Sequence, residues 1–395
     1  MRILFSHYAI IDREGFGRTF MLARELALMG NDVTLLTILP SRQFIFPYKK
    51  EIRDGVLIVA FSDIIPDFMR RTGFGLLSVF LKTIYVVFHS YDIYHSDAGH
   101  RPGGGYHVKF KRLFSKLKYV CEWWDYLGRG GQYDNKHGIR KYTQGKFDLL
   151  FEVKDKLHAD GVVCVSHKMA ELAKLKGVAP SKIRVINGGS DVINIFYNEE
   201  PLYREKYSIP QQAVVFGFIG MNRLEIRDIL PFTEALNELT AEIEELKNAV
   251  VVTTGDQLLS QNVEVKFKLI EFGWLDYSDF SEVLNCVDLF VLTQKPNLQN
   301  ETRWPNKLGD YIAAGRKTII NPLGDTRVLC EEYPELFFEV EYDKESIKTR
   351  LREAICNKEY KQDRRRIRDI AEQKLSWQHR GKELVEFYTF ASRHS

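Results

Sequence analysis

The order buried strand, glycine-bearing loop, amphipathic helix, buried strand occurs twice in this sequence, and few architectures accommodate it. In the first copy Met1 to Phe5 forms the strand and DREGFGRTF the loop. Leu22, Ala23, Leu26 and Ala27 then share one face of a helix from about Thr19 to Met29, Gly30 ends it, and Val33 to Ile38 is the next strand. In the second copy VVFGFIG after Ala213 is the strand, MNRLEIRD leads into a helix from about Ile229 to Leu239, and Ala249 to Thr254 follows. This alternation specifies doubly wound α/β units, whose ligands sit beyond the carboxyl ends of the strands. Gly15 and Gly17 in the first loop either bring backbone N–H groups close to a ligand or make a structural turn.

With 395 residues the chain is long enough for two such domains, each with its own core. Its longest apolar run, Phe74 to Phe88, is fifteen residues with Lys82 inside it. A membrane-spanning helix needs roughly twenty, so the run reads as a buried helix leading into a strand. Cys121, Cys164, Cys286, Cys330 and Cys356 are scattered and never form a C-x-x-C pair, which points to reduced thiols and no zinc site. The apolar run at Ile3 to Phe5 follows the first two residues with no basic, apolar and small-residue signal order, so a cytoplasmic protein is expected.

Charge is unevenly spread. Met1 to Phe196 holds 29 Lys and Arg against 19 Asp and Glu, a surplus of 10, whereas the remainder holds 27 against 34, a deficit of 7. The first half therefore favours an anionic partner, and without a nucleic-acid-binding motif nucleic acid is not expected. Tyr106 to Tyr119 sets Lys109, Lys111, Arg112, Lys116 and Lys118 among Phe110, Leu113, Phe114 and Leu117. As a basic helix this segment either lies on an anionic membrane or docks its apolar stripe into the core with the lysines solvated. The positive surplus favours peripheral association with the inner face of a membrane.

Several stretches carry candidate chemistry. His95, Asp97 and His100 cluster in HSDAGHRPGGG, at a spacing that does not resemble a metal site. In EWWDYLGRGG, Asp125 can hold an acceptor hydroxyl, and Trp123 or Trp124 can stack on a sugar face or simply fill the core. Gly128 to Gly145 reads as a mobile loop. Farther on, ETRWPNKLGDYIAAG reads as a loop turning into a helix: Pro305 suits its first turn, Leu308, Tyr311 and Ile312 share a face, and Gly315 suits its stop. The helix start at Asn306, with the charge of Lys307, suits an anion. Asp310 lies about one turn on, able to accept from sugar hydroxyls, so the pair suits a nucleotide-bound ligand. The alternative is an ordinary amphipathic helix. RRRIRD at Arg364 to Asp369 reads as a solvated helix face.

Several stretches resemble retaining glycosyltransferases of family 4, of the GT-B type. The closest match is GVVCVSHKMAELAKLKGVAPSKIRVINGGSD, from Gly161 to Asp191, which resembles the segment closing the first domain of that family, with one extra residue after Asn187. In Asp288 to Gly315 the residues Pro305, Lys307, Asp310, Tyr311 and Gly315 match a branch reading P-x-K-x-x-E-Y. The family's first carboxylate falls on Thr302, with Glu301 one position early. Gly220 matches the glycine of the second strand–loop, while Arg223 and Arg227 stand one or two places from the usual diphosphate-binding cations. Ser376-Trp377 resembles the pair that precedes a last helix.

The resemblance implies two doubly wound Rossmann-like domains facing an interdomain cleft: 1–196 for the acceptor, 211–376 for the nucleotide-sugar, and a C-terminal helix, 377–395, packing back on the first, with Asn187 to Pro210 as linker. It implies transfer of a sugar from a UDP- or GDP-sugar to an acceptor hydroxyl with retention, in cell-surface glycan or polysaccharide synthesis, without a cofactor or protein-bound metal. The acceptor would be a glycan or a lipid-linked one. Asp310, Glu301, His95 and Asp125 become candidate catalytic or sugar-contacting residues. Gly15, Gly17, Gly220, Arg223, Arg227, Gly273, Asn306 and Lys307 become candidate donor contacts, and Trp124 with Asp125 candidate acceptor contacts. A hydrogen-bonded structural role stays open for His95. A sugar-nucleotide epimerase of the same fold and a non-catalytic nucleotide-sugar-binding protein are the rival readings.

Overall fold

The computed structural model describes residues 1–13, 15–42, 46–222 and 225–393, and it divides into two compact units. Unit 1 comprises Met1–Gly188, Thr302–Trp304 and Trp377–Ser395; unit 2 comprises Gly189–Glu301 and Pro305–Ser376.

Unit 1 runs β1 (Arg2–Ile10), α1 (Phe16–Leu28), β2 (Asp32–Ile38), β3 (Tyr48–Arg53), β4 (Val56–Phe61), α2 (Asp67–Arg70), α3 (Leu76–Phe88), β5 (Ile93–Ser96), α4 (Pro102–Lys111), β6 (Lys118–Trp123), α5 (Gly138–Arg140), α6 (Lys146–His158), β7 (Gly161–Cys164), α7 (His167–Leu175) and β8 (Ile183–Val185). Its sheet has the order β3-β4-β2-β1-β5-β6-β7-β8. Every pair is parallel except β3 with β4. That edge hairpin turns on Asp54-Gly55, both at positive φ, the two-residue signal that an Asp-Gly dipeptide carries.

Unit 2 runs β9 (Val215–Met221), α8 (Ile226–Glu242), β10 (Val250–Gly255), α9 (Leu259–Asn262), β11 (Lys268–Glu271), α10 (Tyr277–Cys286), β12 (Leu289–Leu292), α11 (Leu298–Thr302), α12 (Lys307–Ala313), β13 (Thr318–Ile320), α13 (Asp325–Glu332), β14 (Phe337–Glu339), α14 (Lys344–Cys356) and α15 (Arg364–Ile370). Its all-parallel sheet has the order β11-β10-β9-β12-β13-β14. The last helix, α16 (Trp377–Arg393), packs in unit 1, where Trp377, Leu384, Phe387 and Tyr388 join the core built from Ile3, Phe5, Leu22 and Val120. Ser166 caps α7 by accepting from the Met169 N–H, satisfying one of the donors a helix start leaves free.

Several expectations change. The basic segment is not one helix: α4 ends at Lys111, and Lys118 and Tyr119 already belong to β6. The glycines of HRPGGG lie inside α4, where a Cβ on Gly105 would stand 1.9 Å from the Gly99 carbonyl oxygen, so they serve close packing. Phe74 to Phe88 is not a buried apolar helix. In α3 Ser78 and Lys82 are buried while Leu76, Phe80, Ile84 and Phe88 are exposed. Lys82 turns inward because its ammonium donates to the His7 and Gly103 carbonyls, and burial lowers it to about 7. Residues 189–210 are packed on unit 2 and are no free linker, with Arg204 donating to the Cys286 and Ala213 carbonyls and pairing with Asp288. RRRIRD is only half solvated: Arg364 pairs with Asp288, and Arg368 donates to the carbonyls of Ile195 and Ala313. A charge run does not reveal that one of its faces meets carbonyls outside any ladder, whose burial must be compensated.

Candidate functional site

In unit 1 the carboxyl ends of β5 and β6 open on a cavity of roughly 1110 Å³. Asp97, Glu122, Trp124 and Asp125 line it from the strand ends. A charge inside the apolar run of β6 needs a partner, and Glu122 has Arg18 from α1, 3.1 Å away with both side chains buried. Burial alone would raise the Glu122 pKa; the Arg18 guanidinium, with help from His95 and the Trp124 indole N–H, holds it at about 2. Arg18 also donates to the Ile186 carbonyl at 2.8 Å. Asp97 accepts from His7 at 2.5 Å and from the Tyr8 N–H at 3.2 Å. Asp125 is raised by burial, against the charge of Arg303. Trp123 donates from its indole to Glu152 at 2.7 Å, and burial pushes that carboxyl up to about 7. The half-buried Asp125 and Trp124 thus offer the cavity a carboxyl and an aromatic face, while the Asp97 and Glu122 carboxylates are buried and bonded within the protein.

Gly15 sits at the start of α1 with φ 81°, and a Cβ there would lie 2.3 Å from the Trp124 ring. Gly15 therefore rests against the Trp124 ring, whose indole N–H donates to Glu122. Gly17 is already in α1 and has no close neighbour. His95 does not line the cavity. It is buried, bonded through Nδ1 to the Tyr388 hydroxyl at 2.5 Å and stacked on Phe5, which supports the structural alternative.

In unit 2 the carboxyl ends of β9 and β10 and the loop after β11 carry Gly220, Gly255 and Gly273, all at positive φ. The Gly220 N–H donates to Thr254, and the Gly255 N–H to the Gly273 carbonyl, so these three segments are tied side by side. The Tyr311 hydroxyl of α12 accepts from the Ile219 N–H at 3.0 Å, with its ring stacked on Phe290. Tyr311→Phe leaves that buried N–H unpaired and is expected to cost about 1–3 kcal/mol, read by chemical denaturation; no loss would show that water replaces the hydroxyl.

Lys307, the first residue of α12, is paired with Glu225 at 2.8 Å and stands 4.6 Å from the centre of the Phe218 ring. The sequence did not reveal that pairing. Asp310 lies one turn on. Gly309 lets α12 approach closely, since a Cβ there would lie 2.2 Å from the Gly189 carbonyl oxygen. Burial, with the Asp191 carboxylate, pushes Asp310 up to about 8. Asn306 is exposed, as is Arg227 in the first turn of α8; Arg223 lies outside the described residues. Glu301 belongs to the short helix α11, where a loop is expected; it is half-buried, while Thr302 is fully buried. Among the described residues no group of three or more His, Cys, Asp or Glu could hold a metal ion.

Sequence reasoning did not find Glu122, His7, Asp191 or Glu225. Only Glu122 has a local signal, a charge within the apolar run Tyr119 to Trp123 of β6; the others depend on partners far along the chain.

Residues 18–192 match the family Glycosyltransferase Family 4. No curated protein matches the chain. Among solved structures it is similar to sucrose-phosphate synthase from Thermosynechococcus elongatus, at 13% identity with a TM-score of 0.70 over 98% of both chains. It is equally similar to WaaG, a glycosyltransferase involved in lipopolysaccharide biosynthesis, at 14% identity and a TM-score of 0.70 over 98% of this chain and 99% of that one. HepE from Anabaena in complex with UDP-glucose aligns at 13% identity with a TM-score of 0.65 over 98% of both chains. At these identities the likeness establishes the shared fold.

Proposed function

We propose, from the premise that residues 18–192 of this GT-B chain belong to Glycosyltransferase Family 4, that the protein transfers a sugar from a nucleotide diphosphate donor to an acceptor hydroxyl. The observation that carries this is in unit 2, where Lys307 and Asp310 lie one turn apart on α12 and Tyr311 of the same helix bonds the end of β9. Structures of HepE with UDP and with UDP-glucose support a nucleotide-sugar as donor. The bond from the anomeric carbon to phosphate breaks, a bond from that carbon to the acceptor oxygen forms, and the acceptor's proton passes to a diphosphate oxygen. With attack on the donor's own face the configuration is retained. Lys307, with Arg223 and Arg227, meets the charge of the leaving diphosphate, and no protein-bound metal is needed, so EDTA should leave the rate unchanged. Asp310 holds the ribose. Glu301 contacts the transferred sugar, and Trp124 with Asp125 holds the acceptor.

A panel of UDP- and GDP-sugars tests this reading. Release of nucleotide diphosphate with glycosylation of an acceptor supports it; an epimerised donor supports the epimerase, and binding without turnover supports a non-catalytic protein. The kinship with WaaG supports a place in cell-surface glycan or polysaccharide synthesis.

The same reading includes an anionic membrane surface on the cytoplasmic side. Among the described residues no helix is long and apolar enough to cross a membrane. However, Leu76, Phe80, Ile84 and Phe88 of α3, and Tyr106 and Phe110 of α4 with Leu113 and Phe114 beyond it, are exposed. Lys109 and Arg112 are partly neutralised by Asp155 and Asp160, so the apolar stripes supply much of the attraction. Phe80→Ser and Phe114→Ser are each expected to weaken flotation with anionic liposomes by about tenfold, the worth of partly burying one aromatic ring. Binding indifferent to both substitutions, to salt and to lipid charge would remove the membrane from this reading.

A further inference from the structure

We propose that the acceptor taken by the unit 1 cavity is amphipathic, a hydroxylated head joined to a hydrocarbon chain. This rests on the glycosyltransferase reading and adds the chemical class of its second substrate. The cavity, at roughly 1110 Å³, is larger than the ~300–1,000 Å³ of ordinary small-ligand pockets. Its walls are of unlike chemistry. Asp125 and the Trp124 ring at the strand ends suit hydroxyl groups and a sugar face, and Arg71, Arg101, Arg140 and Gln144 add further polar lining. Phe68 and Met69 of α2, Phe74 before α3, Ile139 of α5 and Phe147 of α6 contribute hydrocarbon, with the Phe74 and Phe147 rings 5.1 Å apart.

That apolar wall continues to the outside: Phe68 is 59% exposed and Ile139 79% exposed while both line the cavity. Leu76, two residues after Phe74, is exposed as well. A free sugar would leave this hydrocarbon facing water, which is unfavourable in proportion to its area. A chain attached to the sugar would cover it and leave along the same side.

The test is direct binding to the whole protein, by tryptophan fluorescence, of n-octyl β-glucoside below its micelle concentration and of methyl β-glucoside. Octyl glucoside is expected to bind at least about 30-fold tighter, the equivalent of burying two or three methylene groups. Ile139→Ser and Phe68→Ser, both at exposed positions that do not threaten folding, are expected to remove most of that advantage and leave methyl glucoside unchanged. Phe80→Ser, on the outer face of α3, is expected to leave both affinities unchanged. Equal binding of the two glucosides overturns the proposal, as does an advantage insensitive to Ile139→Ser and Phe68→Ser or abolished by Phe80→Ser. Binding and hydrolysis of UDP- and GDP-sugars are measured separately. Their absence counts against the transferase reading, while the glucoside comparison still decides the chemistry of the cavity.

Discussion

Lys307→Ala is expected to lower kcat/KM for the nucleotide-sugar by about 10²–10³-fold, the range seen when one fixed donor to a developing negative charge is removed. The ammonium is held in place by two contacts, the Glu225 carboxylate and the Phe218 ring, so it loses little entropy in meeting a diphosphate. Glu225→Gln separates the two meanings of the ion pair. It leaves the lysine over Phe218 and removes the competing carboxylate, so affinity for the nucleotide diphosphate should hold or rise. A loss with Glu225→Gln as large as with Lys307→Ala would mean that the pair only braces the fold, and the phosphate role of Lys307 would fall.

Asp310 extends the same experiment. With its carboxyl pushed up to about 8, it is protonated at neutral pH and can donate as well as accept toward a ribose hydroxyl. Asp310→Asn should keep donor affinity at pH 7, and wild-type affinity should fall as pH rises through about 8 while the asparagine variant stays flat. The sign for stability follows: an acid whose folded value is raised is disfavoured as the ionised form. Its folded state therefore loses stability as pH climbs from the ordinary carboxyl range near 4 toward 8. Asparagine should remove that slope.

The second large effect is on stability. Arg18→Met is expected to cost about 3–5 kcal/mol, because it strands the Glu122 carboxylate in a site where that side chain is 1% exposed. The double variant Arg18→Met/Glu122→Gln should recover much of the loss, since no buried charge remains. Glu122 is held at about 2 in the fold, so its favourable contribution is present above the ordinary glutamate value near 4.3 and is lost as pH falls toward 2. The penalty of Arg18→Met should accordingly be smaller at pH 3 than at pH 7. Equal penalties at both values in denaturation experiments would assign the effect to packing of the arginine stem.

The exposed apolar stripe of α3, on which the proposed membrane association depends, reverses what its composition suggests. An apolar stretch with one lysine reads as a buried helix whose lysine reaches for water, yet α3 does the reverse, burying Lys82 and exposing Phe80. Composition could not decide this, because the acceptors that draw Lys82 inward belong to residues 75 positions before it and 21 after it.

The same division runs through the rest of the molecule. The sequence by itself determined the alternation of strands and helices, hence two doubly wound sheets. It also determined the capping serine at Ser166, and the α12 segment on which Lys307, Asp310 and Tyr311 recur, because periodicity, caps and turns depend on neighbours within a few residues. Only the tertiary structure decided which polar groups are paired inside: Arg18 with Glu122, His7 with Asp97, Lys307 with Glu225, and His95 with a tyrosine 293 positions away. Burial of a polar group is tolerable only beside a partner that completes its hydrogen bonds, and at such separations the folded chain alone supplies that partner.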